Sequence, residues 1–292
     1  MQGIQLVRES EATDERAREA FRDIKNALRV PIVNLIFQAW AAFPRFLDIT
    51  WRRLRPNVLS PEFTQLAGRV GEQVCSGAAL WPVGDHAAAL RARAASDAEI
   101  ARMREVIELF ALVNPKLAIL ACAVDEALGG TAVGGAGSTG PHREEERERP
   151  KEFRGVRFSL VEERDAPPRV RAIYEDMRAT MRLPFIETEY KAMASYPDWL
   201  EVWWKDCKPR IVDPQYRVLT HSIGERSREA SRALPHAVSL SGDLLNSYEI
   251  DQTARDKLRH VTATFARMLP ELIVNVELAR RGLSEGPGTL VP

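Results

Sequence analysis

The sequence has few cysteines, no excess charge of either sign and no long uninterrupted apolar run. Its three cysteines, Cys75, Cys122 and Cys207, form no CxxC pair and no zinc-ligand spacing, so a disulfide framework is excluded and a reducing, cytoplasmic setting is expected. A thiol peroxidase on a helical scaffold would need the CxxC pair that is missing. Lys plus Arg equals Asp plus Glu at 41 each, which argues against a nucleic-acid binder with its basic surplus. The first twenty residues are too charged for the apolar core of a signal peptide. The most apolar stretch, Leu109 to Val124, carries Asn114, Pro115 and Lys116 and is shorter than the roughly 20 residues that span a bilayer. No membrane association is expected. The five histidines are scattered, and no metal site is expected from them; His221 and His236 have no nucleophile or acid partner nearby in sequence.

What the chain does have is a repeat of itself. RVPIVNLIFQAWAAFPRFL from Arg29 is echoed by RLPFIETEYKAMASYPDWL from Arg182, an offset of 153 residues. The register keeps Pro31/Pro184, Pro44/Pro197, Trp51/Trp204, Pro56/Pro209 and Pro61/Pro214. After a slip of two it continues through Phe110/Phe265, Pro115/Pro270 and Leu117/Leu272. Chance does not place four prolines and a tryptophan in one register. Internal repeats are the first organisation to look for, and here they give residues 1–130 as one helical repeat and 154–292 as the second. Residues 131–153, Gly-rich and then highly charged, read as a flexible linker.

Both repeats are predicted to be helical. Apolar residues recur at i, i+3, i+4 and i+7, as in Val33, Ile36, Phe37 and Trp40. Pro31, Pro44, Pro56 and Pro61, with their partners, are expected to punctuate short helices. The fold class is therefore all-α, two tandem repeats forming an intramolecular pseudo-dimer with a ligand site between or within them. The tryptophans are expected to pack the core, and the recurring Arg29 and Arg182 to serve structure.

Symmetry breaking singles out two residues. On the helix after Pro184, Ile186, Glu189, Tyr190 and Met193 share a face at about 100° per residue. Glu187 and Lys191 share another, an i,i+4 pair suited to solvent. Repeat 1 puts Ile36 where repeat 2 puts Glu189, and Asn34 and Gln38 at the solvent-like positions. A buried carboxylate costs several kcal/mol unless it is paired, so Glu189 needs a function or an edge position to explain it. Asn114 interrupts the apolar face of Val106, Phe110, Val113 and Leu117, opposite the apolar Leu269. It either satisfies a carbonyl freed by Pro115 or, with Glu189, flanks a water as a general-base site.

The duplicated segments and the LVNPKL stretch around Asn114 resemble the group I 2-haloacid dehalogenases, which act on both enantiomers. The likeness extends over nearly the whole chain. It implies an all-α pseudo-dimer, with no cofactor, that hydrolyses small 2-halocarboxylic acids by direct attack of activated water. By that resemblance Glu189 stands where the family has its catalytic aspartate, after Thr188, and Asn114 matches an active-site asparagine. Phe37 matches an aromatic lining the halide side, with Tyr190 beside it. Phe265 stands where the family has a tyrosine, and Asn34 where it has an aromatic. A non-catalytic member that binds a small carboxylic acid is the alternative, and further association into a homodimer is left open.

Overall fold

Proline sets where many of the helices begin. Pro44, Pro61, Pro168, Pro197 and Pro214 each occupy a first turn, where the missing N–H is no loss and the fixed φ suits the helix. Side-chain caps start others: Asp14, Ser96 with its reciprocal Glu99, and Asp251. In the computed structural model, which describes residues 5–135, 137 and 156–284, the helices in chain order are α1 (Glu15–Leu28), α2 (Leu35–Trp40), α3 (Pro44–Val58), α4 (Pro61–Ala78), α5 (His86–Arg91) and α6 (Asp97–Leu128). They continue as α7 (Pro168–Met181), α8 (Thr188–Met193), α9 (Pro197–Ile211), α10 (Pro214–Arg232), α11 (Gly242–Ser247) and α12 (Gln252–Gly282). Among the described residues there is no strand, so the fold is all-α.

Helices α7 to α12 follow α1 to α6 in order and nearly in length: 14, 6, 15, 19, 6 and 31 residues against 14, 6, 15, 18, 6 and 32. Local details recur as well. Arg29 and Arg182 both end their helices in the left-handed conformation, at φ 61° and 55°. Trp51 Nε1 donates to Asp23 at 2.6 Å, and Arg55 Nε donates to the same oxygen at 2.7 Å. One offset later, Trp204 Nε1 donates to Asp176 at 2.8 Å and Lys208 Nζ at 2.7 Å. Each aspartate thus ties α3 to α1, or α9 to α7. Replacing Asp23 by Ala leaves a buried indole N–H unpartnered. It is expected to cost about 1–2 kcal/mol in urea unfolding, the usual loss for such a donor.

Two prolines depart from the expectation that each would bound a short helix. Pro56 and Pro209 lie inside α3 and α9, close to their ends. Pro115 and Pro270 lie in the middle of α6 and α12. These two long helices pack against one another through the centre of the molecule. The short helices cross over: α2 packs on α12, with Trp40 Nε1 donating to Thr262 Oγ1 at 3.0 Å, and α8 packs on α6.

By length and composition α6 could cross a membrane, since it runs well beyond the apolar stretch seen in the sequence. However, 78% of its most apolar window is buried inside the protein, so it is a core helix. The charged part of the linker lies outside the described residues. Its first residues hydrogen-bond to the segment between α10 and α11. Val133 and Val238 exchange backbone hydrogen bonds at 3.0 and 2.8 Å, and Gly135 N donates to Leu234 O at 2.9 Å. Gly134 between them has φ +78°, and a Cβ there would lie 2.8 Å from Leu234 O.

Candidate active site

The cavity that carries the polar residues lies where the starts of α2 and α8 meet the middles of α6 and α12. It takes in ≈ 330 Å³ of space between atoms, part of it continuous with solvent. The start of α2 contributes Asn34, Leu35 and Ile36, and the start of α8 contributes Glu187, Thr188 and Glu189. Phe110, Asn114 and Leu117 come from α6, and Phe265, Leu269 and Leu272 from α12. In the sequence register every one of these residues has its counterpart in the same wall: 34–36 with 187–189, and 110, 114 and 117 with 265, 269 and 272. The lining is closed under the repeat. What differs between partners is polarity: Asn against Glu, Leu against Thr, Ile against Glu, and Asn against Leu.

Glu189 and Asn114 meet in this cavity, 5% and 1% exposed. Asn114 Nδ2 donates to Glu189 Oε1 at 2.5 Å, so the two groups bond directly. The amide is engaged by the carboxylate and not by a carbonyl freed at Pro115. Burial pushes the Glu189 carboxyl above the usual carboxylate range, while its own backbone N–H and Asn114 pull it back. Hydrogen bonds to the charged form counter desolvation in this way. The Asn114 Oδ1 atom is buried and has no protein partner among the described residues, and Asn114 lines the cavity.

Glu187, placed toward solvent by the helix wheel, is instead in the wall, and so is Asn34, which the wheel placed toward solvent and the family resemblance placed in the site. Glu187 is 2% exposed and Asn34 5%. All six residues of α8 are buried, because α6 and α9 pack on it and the segment before α7 covers its outer side, with Val161 N donating to Lys191 O at 3.0 Å. A helix covered all round has no solvent face, so the Glu187–Lys191 pairing fails. Lys191, 7% exposed, pairs instead with Glu162 at 3.0 Å. Asn34 and Glu187 are the N-cap residues of α2 and α8, yet neither side chain caps its helix. Asn34 Oδ1 and Glu187 Oε1 are buried without protein partners among the described residues.

Thr188 and Phe265 line the cavity as expected residues of the site, whereas Phe37 and Tyr190 do not. Phe37 is fully buried edge-on against Trp40 and Trp51, with centroids 5.5 and 6.0 Å away. Tyr190 stacks on Trp203 at 5.3 Å, and its hydroxyl accepts from Asn275 Nδ2 at 2.9 Å. Each sits one residue, about 100° of helix, beyond a cavity residue, Ile36 or Glu189, and so points away from the cavity. No Lys, Arg or His lines the cavity. Among the described residues no group of three or more His, Cys, Asp or Glu could hold a metal ion.

The all-α scaffold thus buries a carboxylate bonded to a carboxamide inside a small cavity. Comparison with known proteins makes this specific. The family described as "Halocarboxylic acid dehydrogenase DehI" matches residues 31–190. An (R)-2-haloacid dehalogenase of Pseudomonas putida is 33% identical over 267 residues, 90% of this chain and 87% of the relative. A 2-haloacid dehalogenase of Pseudomonas sp. (strain 113), described as configuration-inverting, is 29% identical over 225 residues, 75% of this chain and 72% of the relative. The solved structure described as "The complex structure of D-2-haloacid dehalogenase with L-LA" superposes with a TM-score of 0.87 at 30% identity, covering 96% of each chain. The chain belongs to the DehI family.

Proposed function

We propose that this protein hydrolyses small 2-halocarboxylic acids by direct displacement, with Glu189 as general base. The observation that carries the reading is the buried Glu189–Asn114 pair, the one carboxylate of the cavity whose charged form is supported by a carboxamide donor. Glu189, ionised, takes a proton from a water that Asn114 Oδ1 orients. The water oxygen forms a bond to C2 from the side opposite the halogen. The C–halogen bond breaks with its electron pair leaving on the halide, and the product is a 2-hydroxy acid of inverted configuration. No covalent ester and no cofactor enter these steps. Phe110, Phe265, Leu117 and Leu272 form the apolar wall for the halogen and the alkyl group.

The structural reading behind this is a tandem duplication. The matched helix lengths, the repeated Asp–Trp–cation ties and a lining closed under the repeat support an intramolecular pseudo-dimer of residues 1–130 and 154–292, with the cavity on its approximate two-fold axis. Because the aromatic and leucine walls are the same type on both sides of the axis, halogen and methyl meet equivalent surfaces when exchanged. We therefore assign both enantiomers as substrates, the group I behaviour. The three free cysteines, two of them buried, support a reducing, cytoplasmic setting.

The test is halide release from purified protein with D- and L-2-chloropropionate and 2-bromopropionate, with chiral analysis of the lactate formed. Release from both, each with inversion, is expected. Release from one enantiomer overturns the group I assignment alone. Retained configuration overturns direct displacement. Binding of the acids without release leaves the second reading, a carboxylic-acid binder.

A further inference from the structure

The cavity holds a second carboxyl that the displacement above does not use. Glu187 is as buried as Glu189, lies two residues before it, and lines the same cavity. Its Oε1 has no protein partner among the described residues, and the lysine one turn away is bonded to Glu162 instead. A 2-haloacid enters as an anion, and no cation lines the cavity to receive it. With Glu189 ionised, an ionised Glu187 would place three negative charges in one low-dielectric pocket. Like charges that close do not all ionise.

We propose that Glu187 is a substrate-binding acid: held neutral, its carboxyl O–H donates to the carboxylate of the bound haloacid, while Glu189 stays ionised and serves as base. This rests on the reading above that the ligand is a haloacid anion. The two glutamates then have opposite tasks set by their neighbours. Glu189 has Asn114 and its own backbone N–H to stabilise its charge. Glu187 has no such donor and is pushed further up by burial and by the negative charges around it. The charges that act on it are Glu189 and Lys191 on its own helix and Glu271 on α12; among the described residues none from α6 or α9 does. Glu271, itself shifted up by burial, is held back by Arg267 and Arg217. Asn34, the counterpart of Glu187 across the repeat, offers an uncharged N–H₂ beside the same cavity. The anion is then met by neutral donors alone. Chemistry sets the sign of the pH dependence: as pH rises and Glu187 loses its proton, the donor becomes a repelling acceptor and the acid is released.

The experiment is KM and kcat against pH for wild type, Glu187→Gln and Glu187→Ala with 2-bromopropionate, together with calorimetric binding of propionate in buffers of different ionisation heat. Wild type is expected to show KM rising on the alkaline side, independently of the acid limb of kcat that belongs to Glu189. In Glu187→Ala, KM at neutral pH rises about 10- to 100-fold, the worth of a hydrogen bond to a charged group, and the alkaline rise disappears. In Glu187→Gln, which keeps an N–H donor that cannot ionise, the alkaline rise also disappears and KM rises less than in Glu187→Ala. Halide release with KM and its pH profile unchanged in both variants overturns the role of Glu187 and leaves the dehalogenase reading standing. Propionate binding that depends on Glu187 in a protein releasing no halide supports the role and removes the activity. Neither binding nor release overturns both.

Discussion

Glu189→Gln is expected to lower halide release by about 10²–10⁴-fold, the range that a positioned general base supplies, while the protein stays folded. The amide keeps an oxygen that can accept from Asn114 Nδ2, and it fills the same volume, so the contact now at 2.5 Å persists. Only the ability to take a proton is lost. A fall in kcat with KM within a few-fold of wild type is therefore the signature. Removal of a binding contact would instead raise KM at unchanged kcat. Wild-type kcat should rise with pH through the elevated ionisation of Glu189, because only the charged form is a base. That acid limb should vanish in the residual activity of the variant. Glu189→Asp makes the complementary point. It keeps a base but draws its oxygens back by about an ångström, away from Asn114, and a misplacement of that size costs on the order of 100-fold. If Glu189→Gln retained wild-type kcat, the base would have to be another group, and Glu187 in the same cavity would be the first to examine.

Much of this arrangement was legible in the sequence because proline and tryptophan report backbone geometry. Prolines in one register are costly to misplace, so they expose the repeat and several of the helix starts. Glu189 and Asn114 were legible for a related reason: each is polar where its counterpart, Ile36 or Leu269, is apolar. The wheel argument failed at Glu187 and Asn34. It assumes that a short helix has one wet face, whereas α8 is six residues long and buried on every side. The cavity looks at the starts of α2 and α8 rather than at their flanks, so three consecutive residues of each converge on it. That rule also removes Phe37 and Tyr190, the next residue in each helix, from the wall. The available signal was the run Glu187-Thr188-Glu189 itself. Three polar residues stand opposite Asn34, Leu35 and Ile36 at the same helix start, where a capping role would have called for only one.

The same symmetry says what the site costs the fold. Replacing Asn114 by Leu and Glu189 by Ile gives each position the residue its counterpart already carries in the same wall, at similar side-chain volume. The double variant is expected to lose activity to background and to gain about 1–4 kcal/mol of unfolding free energy at neutral pH, as when buried polar pairs give way to apolar residues of like shape. Changing both together matters, because either single replacement leaves a buried carboxylate or carboxamide without its partner. The pH dependence follows from linkage. Glu189 ionises less readily when folded than when unfolded, so between those two ionisations the native state holds the extra proton and stability falls as pH rises. Glu187 contributes with the same sign. In the double variant the share of Glu189 disappears, and urea unfolding at several pH values above the ordinary glutamate range should show a shallower decline. A variant less stable than wild type by more than about 1 kcal/mol would mean instead that the carboxylate–carboxamide contact is itself part of what holds α8 against α6. Glu189 and Asn114 would then have been retained for the packing of the two halves as well as for chemistry.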